Sequence, residues 1–339
     1  DTTSLYFEGE GGETLGERGF SKDKRSDLNQ MIVGAVLDDE GNPVCSEMWP
    51  GNTADVKTLL PVRSRLKERF GVGWCCLVAD RGMVSRENLA RLEEENVPYI
   101  LGVRMRKTKE VREEVLSRAG RYREVRKEGS PKDPDPLKVK EVLVRDHRYI
   151  VCLNPKEARK DARDREAVLE SLREKIGKDP GTLVGNSGFR KYLKVKRGNF
   201  FIDEDKVKED TRYDGKWVLR TNTDLPAKTV ALKYKQLLDV EQLFREMKSI
   251  LETRPIYHQK DEAIRGHVFC SFLALLLKKE LYSRLEKTGC LYEWLDIKQD
   301  LEALQEITVE ESGKNLPSEP SAPASAARCS RLSGLPFPR

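Results

Sequence analysis

The sequence has three histidines, at 147, 258 and 267, too few and too scattered for a metal cluster. His267 sits in an apolar helical run and is expected to be a packed side chain. The seven cysteines (45, 75, 76, 152, 270, 290 and 329) are odd in number, and no spacing among them matches a zinc pair. That excludes a disulfide scaffold or zinc module and predicts reduced, mostly buried thiols in a cytosolic protein. No apolar run approaches the roughly 18 residues a membrane span requires; the longest, Val268 to Leu277, is too short. No signal peptide opens the chain. Nor is there a Ser/His or Tyr nucleophile constellation.

What the chain does have is charge. Of its 339 residues, 35% are charged and 38% apolar, with a net charge of +5. The length allows one large or two medium domains with a real core. The modest basic excess fits a nucleic-acid partner without requiring one. Two local basic runs stand out, Arg104 to Lys109 and Lys191 to Arg197. The second alternates cations with Tyr192, Leu193 and Val195, as either a nucleic-acid-facing strand or a Lys-blunted edge would.

Residues 1–9, 31–39 and 43–49 read as strands, with Asp39-Glu40-Gly41-Asn42 as the turn between the last two. Helical spacing follows from Asp55, a possible cap, to Arg69. Trp74 to Ala79 reads as a strand, Ser85 caps a helix to about Glu95, and Tyr99 to Val103 reads as another strand. Short strand-like runs follow at 138–144, 149–153, 192–195, 199–202 and 217–220, around a charged helix at 157–177 and a solvated loop at 130–136. Helices resume at 230–251 and 261–286. The order predicts an α/β fold of RNase H-like type, a mixed sheet flanked by helices, with a strand-rich insertion before the last catalytic helix. The expected division is 1–105 for the first part of the core, 106–230 for the insertion, 231–290 for the catalytic and packing helices and 291–313 for a helical extension. The Pro-, Ser- and Ala-rich tail 314–339 is expected to be disordered.

Three acids sit where chemistry is expected. Asp1 opens a strand; Asp80 ends the buried-type run Trp74 to Ala79, with Gly82 permitting a sharp turn after it. An acid at the C-terminal end of a strand lies where α/β folds place their sites. Glu241 lies on the helix from 230 to 251. At 100° per residue, Tyr234 and Lys248 fall within about 20° of Glu241 and Arg245 within about 40°, beside the apolar stripe of Val240, Phe244, Met247 and Leu251. The same spacing also describes an ordinary amphipathic helix with charge neighbours. Three converging carboxylates would repel one another unless a divalent ion neutralised them, and all-oxygen ligation suits Mg²⁺ or Mn²⁺.

These segments resemble the DDE transposases of bacterial insertion sequences, of the insertion-sequence-4 type. Asp1-Thr2-Thr3 is similar to that group's first motif, and Val78-Ala79-Asp80-Arg81-Gly82-Met83 to its second. Tyr234, Glu241 and Lys248 match the third, Tyr-x2-Arg-x3-Glu-x6-Lys, in which the Arg position here is Leu237. Residues 19–25, 51–55 and 254–258 also look like that family, and the likeness runs to about Glu286. The resemblance implies Asp1, Asp80 and Glu241 as catalytic residues and ligands of two Mg²⁺ (or Mn²⁺) ions. It implies Tyr234 and Lys248 as holders of DNA phosphates; Arg245, on the other flank of Glu241 from Leu237, is the residue placed by helix geometry to stand in for the missing Arg. It further implies a DNA-binding segment before Asp1, terminal inverted repeats and target DNA as partners, a homodimer on DNA, no membrane, and a cytoplasmic, nucleoid-associated location. A metal-dependent nuclease of the same fold and an inactive DNA-binding remnant are the alternatives.

Overall fold

The computed structural model describes residues 1–317 apart from 74, 127–135, 179–182, 184–185, 197–198, 288, 290–291, 303–307 and 312–313. Most of the loop expected at 130–136 and the tail beyond 317 therefore lie outside the described residues. The chain divides into two compact units, Asp1–Thr2 with Thr53–Glu241, and Thr3–Asn52 with Gln242–Arg339.

The first unit is built on a six-stranded mixed sheet in the order β4-β5-β11-β8-β7-β6. Its strands are β4 (Leu77–Ala79), β5 (Tyr99–Val103), β6 (Arg123–Val125), β7 (Leu137–Val144), β8 (His147–Leu153) and β11 (Lys216–Thr221). β4 and β5 are parallel, joined through helix α2 (Arg86–Glu94), whose cap is Ser85, accepting the Asn88 amide at 3.0 Å as its sequence predicts. β5 pairs antiparallel with β11, so the strand-like runs after residue 106 extend the sheet that carries Asp80.

Side chains alternate along these strands. Ile100, Ile150, Cys152 and Leu219 pack on one face with Val230 and Ala231 of helix α6 (Ala227–Lys235). Tyr149, Val151 and Val218 pack on the other with Val111 and Val115. Tyr99 and Leu101 join Ala79, Met83, Leu92 and Leu59, the last from helix α1 (Leu59–Phe70). This is the period-two pattern of a sheet covered on both faces. Farther along, helix α3 (Pro155–Lys178), the short helix α4 (Ser187–Arg190) and the hairpin of β9 (Leu193–Lys196) with β10 (Asn199–Ile202) enclose Leu169, Leu172, Phe189 and Tyr192.

One cation from each basic run, Arg106 and Lys191, serves a single buried acid. Asp210, on helix α5 (Glu204–Thr211), accepts Lys191 Nζ at 2.6 Å and the Tyr192 hydroxyl at 2.5 Å, and pairs with Arg106. Burial alone would push this carboxyl up, but the Lys191, Tyr192 and Arg106 hydrogen bonds outweigh it and hold the pKa at about 2. The unfolded chain therefore takes up a proton that the folded chain refuses. The resulting stabilisation is whole above pH ~4, about 2 kcal/mol, and drains away as pH falls towards 2. Urea unfolding of the wild type and Asp210→Asn across pH 2–7 is expected to show this loss in the wild type and a flatter profile in the variant.

The second unit holds a three-stranded sheet in the order β1-β2-β3: β1 (Thr2–Tyr6, with Thr2 itself in the first unit), β2 (Gln30–Leu37) and β3 (Pro43–Pro50). The turn at 38–42 is closed by Asp38, whose carboxylate accepts the Glu40 and Asn42 amides at 3.0 and 2.8 Å, while Gly41 takes φ 79°. The sequence order suggested these strands would share a sheet with β4 and β5; the hydrogen bonding instead gives two sheets. Helix α7 (Leu237–Ser249) leads into helix α8 (Asp261–Lys287), which packs on β3.

The buried face of α8 is Ile264, Val268, Phe272 and Leu275. Of the five described cysteines Cys152 is buried, Cys45, Cys75 and Cys76 are half-buried and Cys270 is exposed, which corrects the expectation of mostly buried thiols; none of the five is in a disulfide. His267 bonds the Thr253 carbonyl oxygen at 3.1 Å, a packing role. Helix α9 (Trp294–Glu302) follows, and Lys314–Pro317, at the start of the stretch expected to be disordered, pairs as a strand with Thr308–Glu311. Among the described residues no helix is long and apolar enough to cross a membrane.

Candidate active site

Ala79 is the last residue of β4, held beside Leu101 in the parallel ladder, and Asp80 follows it at the strand's C-terminal end. The chain then turns tightly, the Met83 amide bonding the Asp80 carbonyl at 3.0 Å. The Gly82 N–H points at Asp80 Oδ2 at 3.4 Å, and the Tyr234 hydroxyl donates to Oδ1 at 2.8 Å. Tyr234 is fixed because its helix α6 is anchored by Val230 and Ala231, both fully buried. Burial, the Asp80 charge and this hydrogen bond together push the Tyr234 phenol up, so it remains a donor at any working pH. Gly102 leaves the room: a Cβ there would collide with the Tyr234 hydroxyl and lie 3.0 Å from the Arg81 backbone nitrogen.

Two further groups reach the Gly82 turn or its neighbours. Asp55 Oδ2 and Asp80 Oδ2 lie 3.6 and 3.7 Å from the point a Cβ on Gly82 would occupy. The other Asp55 oxygen accepts the Thr2 hydroxyl at 2.7 Å, and the Thr2 amide in turn donates to Asp1 Oδ1 at 2.6 Å. Asp55 was expected to cap α1, but Thr58 precedes that helix and the Asp55 carboxylate turns to Thr2 instead. The sequence signal for Asp55 was its place at the end of Gly51-Asn52-Thr53-Ala54-Asp55; nothing local marked its partner.

Glu241 belongs to the same compact unit, on α7, with its side chain exposed. The helix expected from 230 to 251 is interrupted at Gln236. Two short-range bonds, Gln236 N–H to Lys233 O at 3.2 Å and Asp239 N–H to Gln236 O at 2.9 Å, tighten one turn there. A tighter turn advances more than 100° per residue, so the angular spacing of Tyr234 and Glu241 departs from that of an even helix.

In the second unit, Arg245 is exposed and donates to the Gln242 side chain at 2.9 Å. Lys248 is drawn in, its ammonium 2.9 Å from Asp23 Oδ1, and Arg254 pairs with Asp23 Oδ2 at 2.6 Å. Burial pushes the Lys248 pKa down, partly offset by Asp23. The Arg254 and Arg25 guanidiniums both sit over the Tyr6 ring, at 5.5 and 5.4 Å from its centroid. Asp23 and Arg25 lie in segment 19–25 and Arg254 in segment 254–258, and nothing in the local spacing marks their meeting at Lys248 and Tyr6.

Asp1, Thr2, Asp55, Asp80 and Tyr234 offer oxygen donors alone, a set that fits Mg²⁺ or Mn²⁺ in kind. Among the described residues no three His, Cys, Asp or Glu side chains are gathered closely enough to hold one ion; Asp55 and Asp80 both border the Gly82 turn.

The mixed sheet with helices on both faces, and an acid at the end of a parallel strand, define a nuclease-like α/β protein. A protein-family model for the transposase DDE domain matches residues 1–277, and the chain belongs to that family. It is a transposase in general function, a class that works on DNA and generally uses divalent metal ions. No curated protein matches the chain significantly.

Proposed function

We propose that this chain performs Mg²⁺-dependent (or Mn²⁺-dependent) DNA cleavage and strand transfer at the ends of an insertion sequence of the insertion-sequence-4 type. Asp1, Asp80 and Glu241 are the residues that would hold two ions. When bound, such ions activate the attacking oxygen and stabilise the departing 3′-oxygen. The observation that carries the reading is Asp80: a carboxylate at a strand end, oriented by the Tyr234 hydroxyl, within a chain of this family.

The chain's own groups do the rest. Tyr234 occupies one Asp80 oxygen and fixes the carboxylate plane. Arg245 is an exposed cation available to a phosphate, the role left open by Leu237. Lys248 holds a phosphate once that phosphate competes with Asp23 for its ammonium. The substrate is the element's terminal inverted repeats together with target DNA, bound by a homodimer, at the nucleoid in the cytoplasm.

The test is joining. Pre-cleaved element ends bearing a free 3′-hydroxyl, mixed with the chain, target plasmid and Mg²⁺, are expected to yield joined products. Nicking of the plasmid without joining would instead identify a nuclease of the same fold.

A further inference from the structure

We propose that Asp55 is a positioning residue of this same site, locking the strand start that carries Asp1 to the turn that carries Asp80; the inference rests on the transposase reading above. Asp55 begins a short helical turn, Asp55–Lys57, whose N-cap position is Ala54. Chain entry into α1 is handled by its backbone carbonyl, which accepts the Thr58 amide at 3.1 Å and the Thr58 hydroxyl at 2.8 Å. The carboxylate is directed elsewhere. One oxygen takes the hydroxyl of Thr2, a residue only 3% exposed, at 2.7 Å. A hydrogen bond to an ionised acceptor in so enclosed a place is a strong one. Thr2 in turn grips Asp1 through its amide, at 2.6 Å. The other Asp55 oxygen lies 3.6 Å from the point a Cβ on Gly82 would occupy, and Asp80 Oδ2 lies 3.7 Å from the same point.

Asp55 therefore links two sequence segments that must register for Asp1 and Asp80 to act together, over a separation of 53 residues from Thr2. It does so through a hydroxyl, so its role is to aim other groups. Outer hydrogen bonds of this kind set ligand orientation, and losing one typically weakens metal binding or activity about 10- to 100-fold. Gly82 borders both carboxylates, since a Cβ there would touch an oxygen of each.

The experiment compares Asp55→Ala, Asp55→Asn, Thr2→Val and Thr2→Ser with the wild type and with Asp80→Asn. Three things are read: the Mg²⁺ concentration for half-maximal DNA cleavage, Mn²⁺ binding by electron paramagnetic resonance without DNA, and the melting temperature. Asp55→Ala and Thr2→Val are expected to raise the metal requirement about 10- to 100-fold alike, while melting within about 2 °C of wild type. Thr2→Ser keeps the hydroxyl and Asp55→Asn keeps an acceptor for it, so both should recover most of the wild-type affinity. Should Asp55→Ala melt early, the Thr2→Val and Thr2→Ser pair decides on its own. Unchanged metal affinity in Asp55→Ala and Thr2→Val, with Asp80→Asn inactive, would overturn the role of Asp55 and leave the transposase reading standing. So would an Asp55→Asn variant no better than Asp55→Ala, which would make Asp55 a ligand and not a positioning group. An active Asp80→Asn variant would overturn both.

Discussion

Phe272→Ala is expected to destabilise the second unit by about 3–5 kcal/mol, the range for emptying a buried phenylalanine site. Phe272 is 4% exposed and lies in the row Ile264, Val268, Phe272 and Leu275, the face of α8 that is buried. Deleting its ring removes apolar burial and leaves a cavity that a close-packed neighbourhood cannot fill. Phe269, three residues earlier on the same helix, is 51% exposed, and Phe269→Ala is expected to change stability by less than about 0.5 kcal/mol. Denaturant midpoints for the two variants, read with an unchanged slope, separate the cases. Equal effects would mean that the buried row has been misplaced.

That contrast shows where the sequence was readable. Element order was: Tyr99 to Val103, Asn199 to Ile202 and the Ser85 cap appear where composition and turn residues place them. The phase of α8 was not. Between Val268 and Leu277 every side of the helix is apolar, and spacing alone points to Phe269, Phe272, Leu273 and Leu276 as the packed face. Phe269 and Leu273 prove exposed, at 51% and 39%. A periodic signal needs polar residues to mark the other face, and this segment has few.

The site divides in the same way. Asp80 was legible because a strand run, an acid and a glycine turn are all local features. Its partner Tyr234 was named, but as a phosphate contact; the bond to Asp80 spans 154 residues. Lys248 was named too, and its partner Asp23 lies 225 residues earlier. Such pairings follow from tertiary packing, to which local spacing is blind. The pairing of β5 with β11 is of the same kind, and it makes one sheet of what reads locally as a core and an insertion.

The central claim, that Asp80 is a metal-holding carboxylate of a DNA-cleaving site, is tested most directly by Asp80→Asn. The change keeps the side chain's shape and an acceptor for the Tyr234 hydroxyl, but removes the charge a divalent ion needs. It also relieves the repulsion between Asp80 and nearby Asp55, so the melting temperature should hold or rise. Loss of several kcal/mol of metal-assisted charge stabilisation corresponds to about a 10³-fold slower reaction. Mg²⁺-dependent cleavage of DNA carrying the element ends, measured for wild type and variant side by side, is expected to fall by at least about that factor with the fold intact. Cleavage by Asp80→Asn at the wild-type rate would contradict the account.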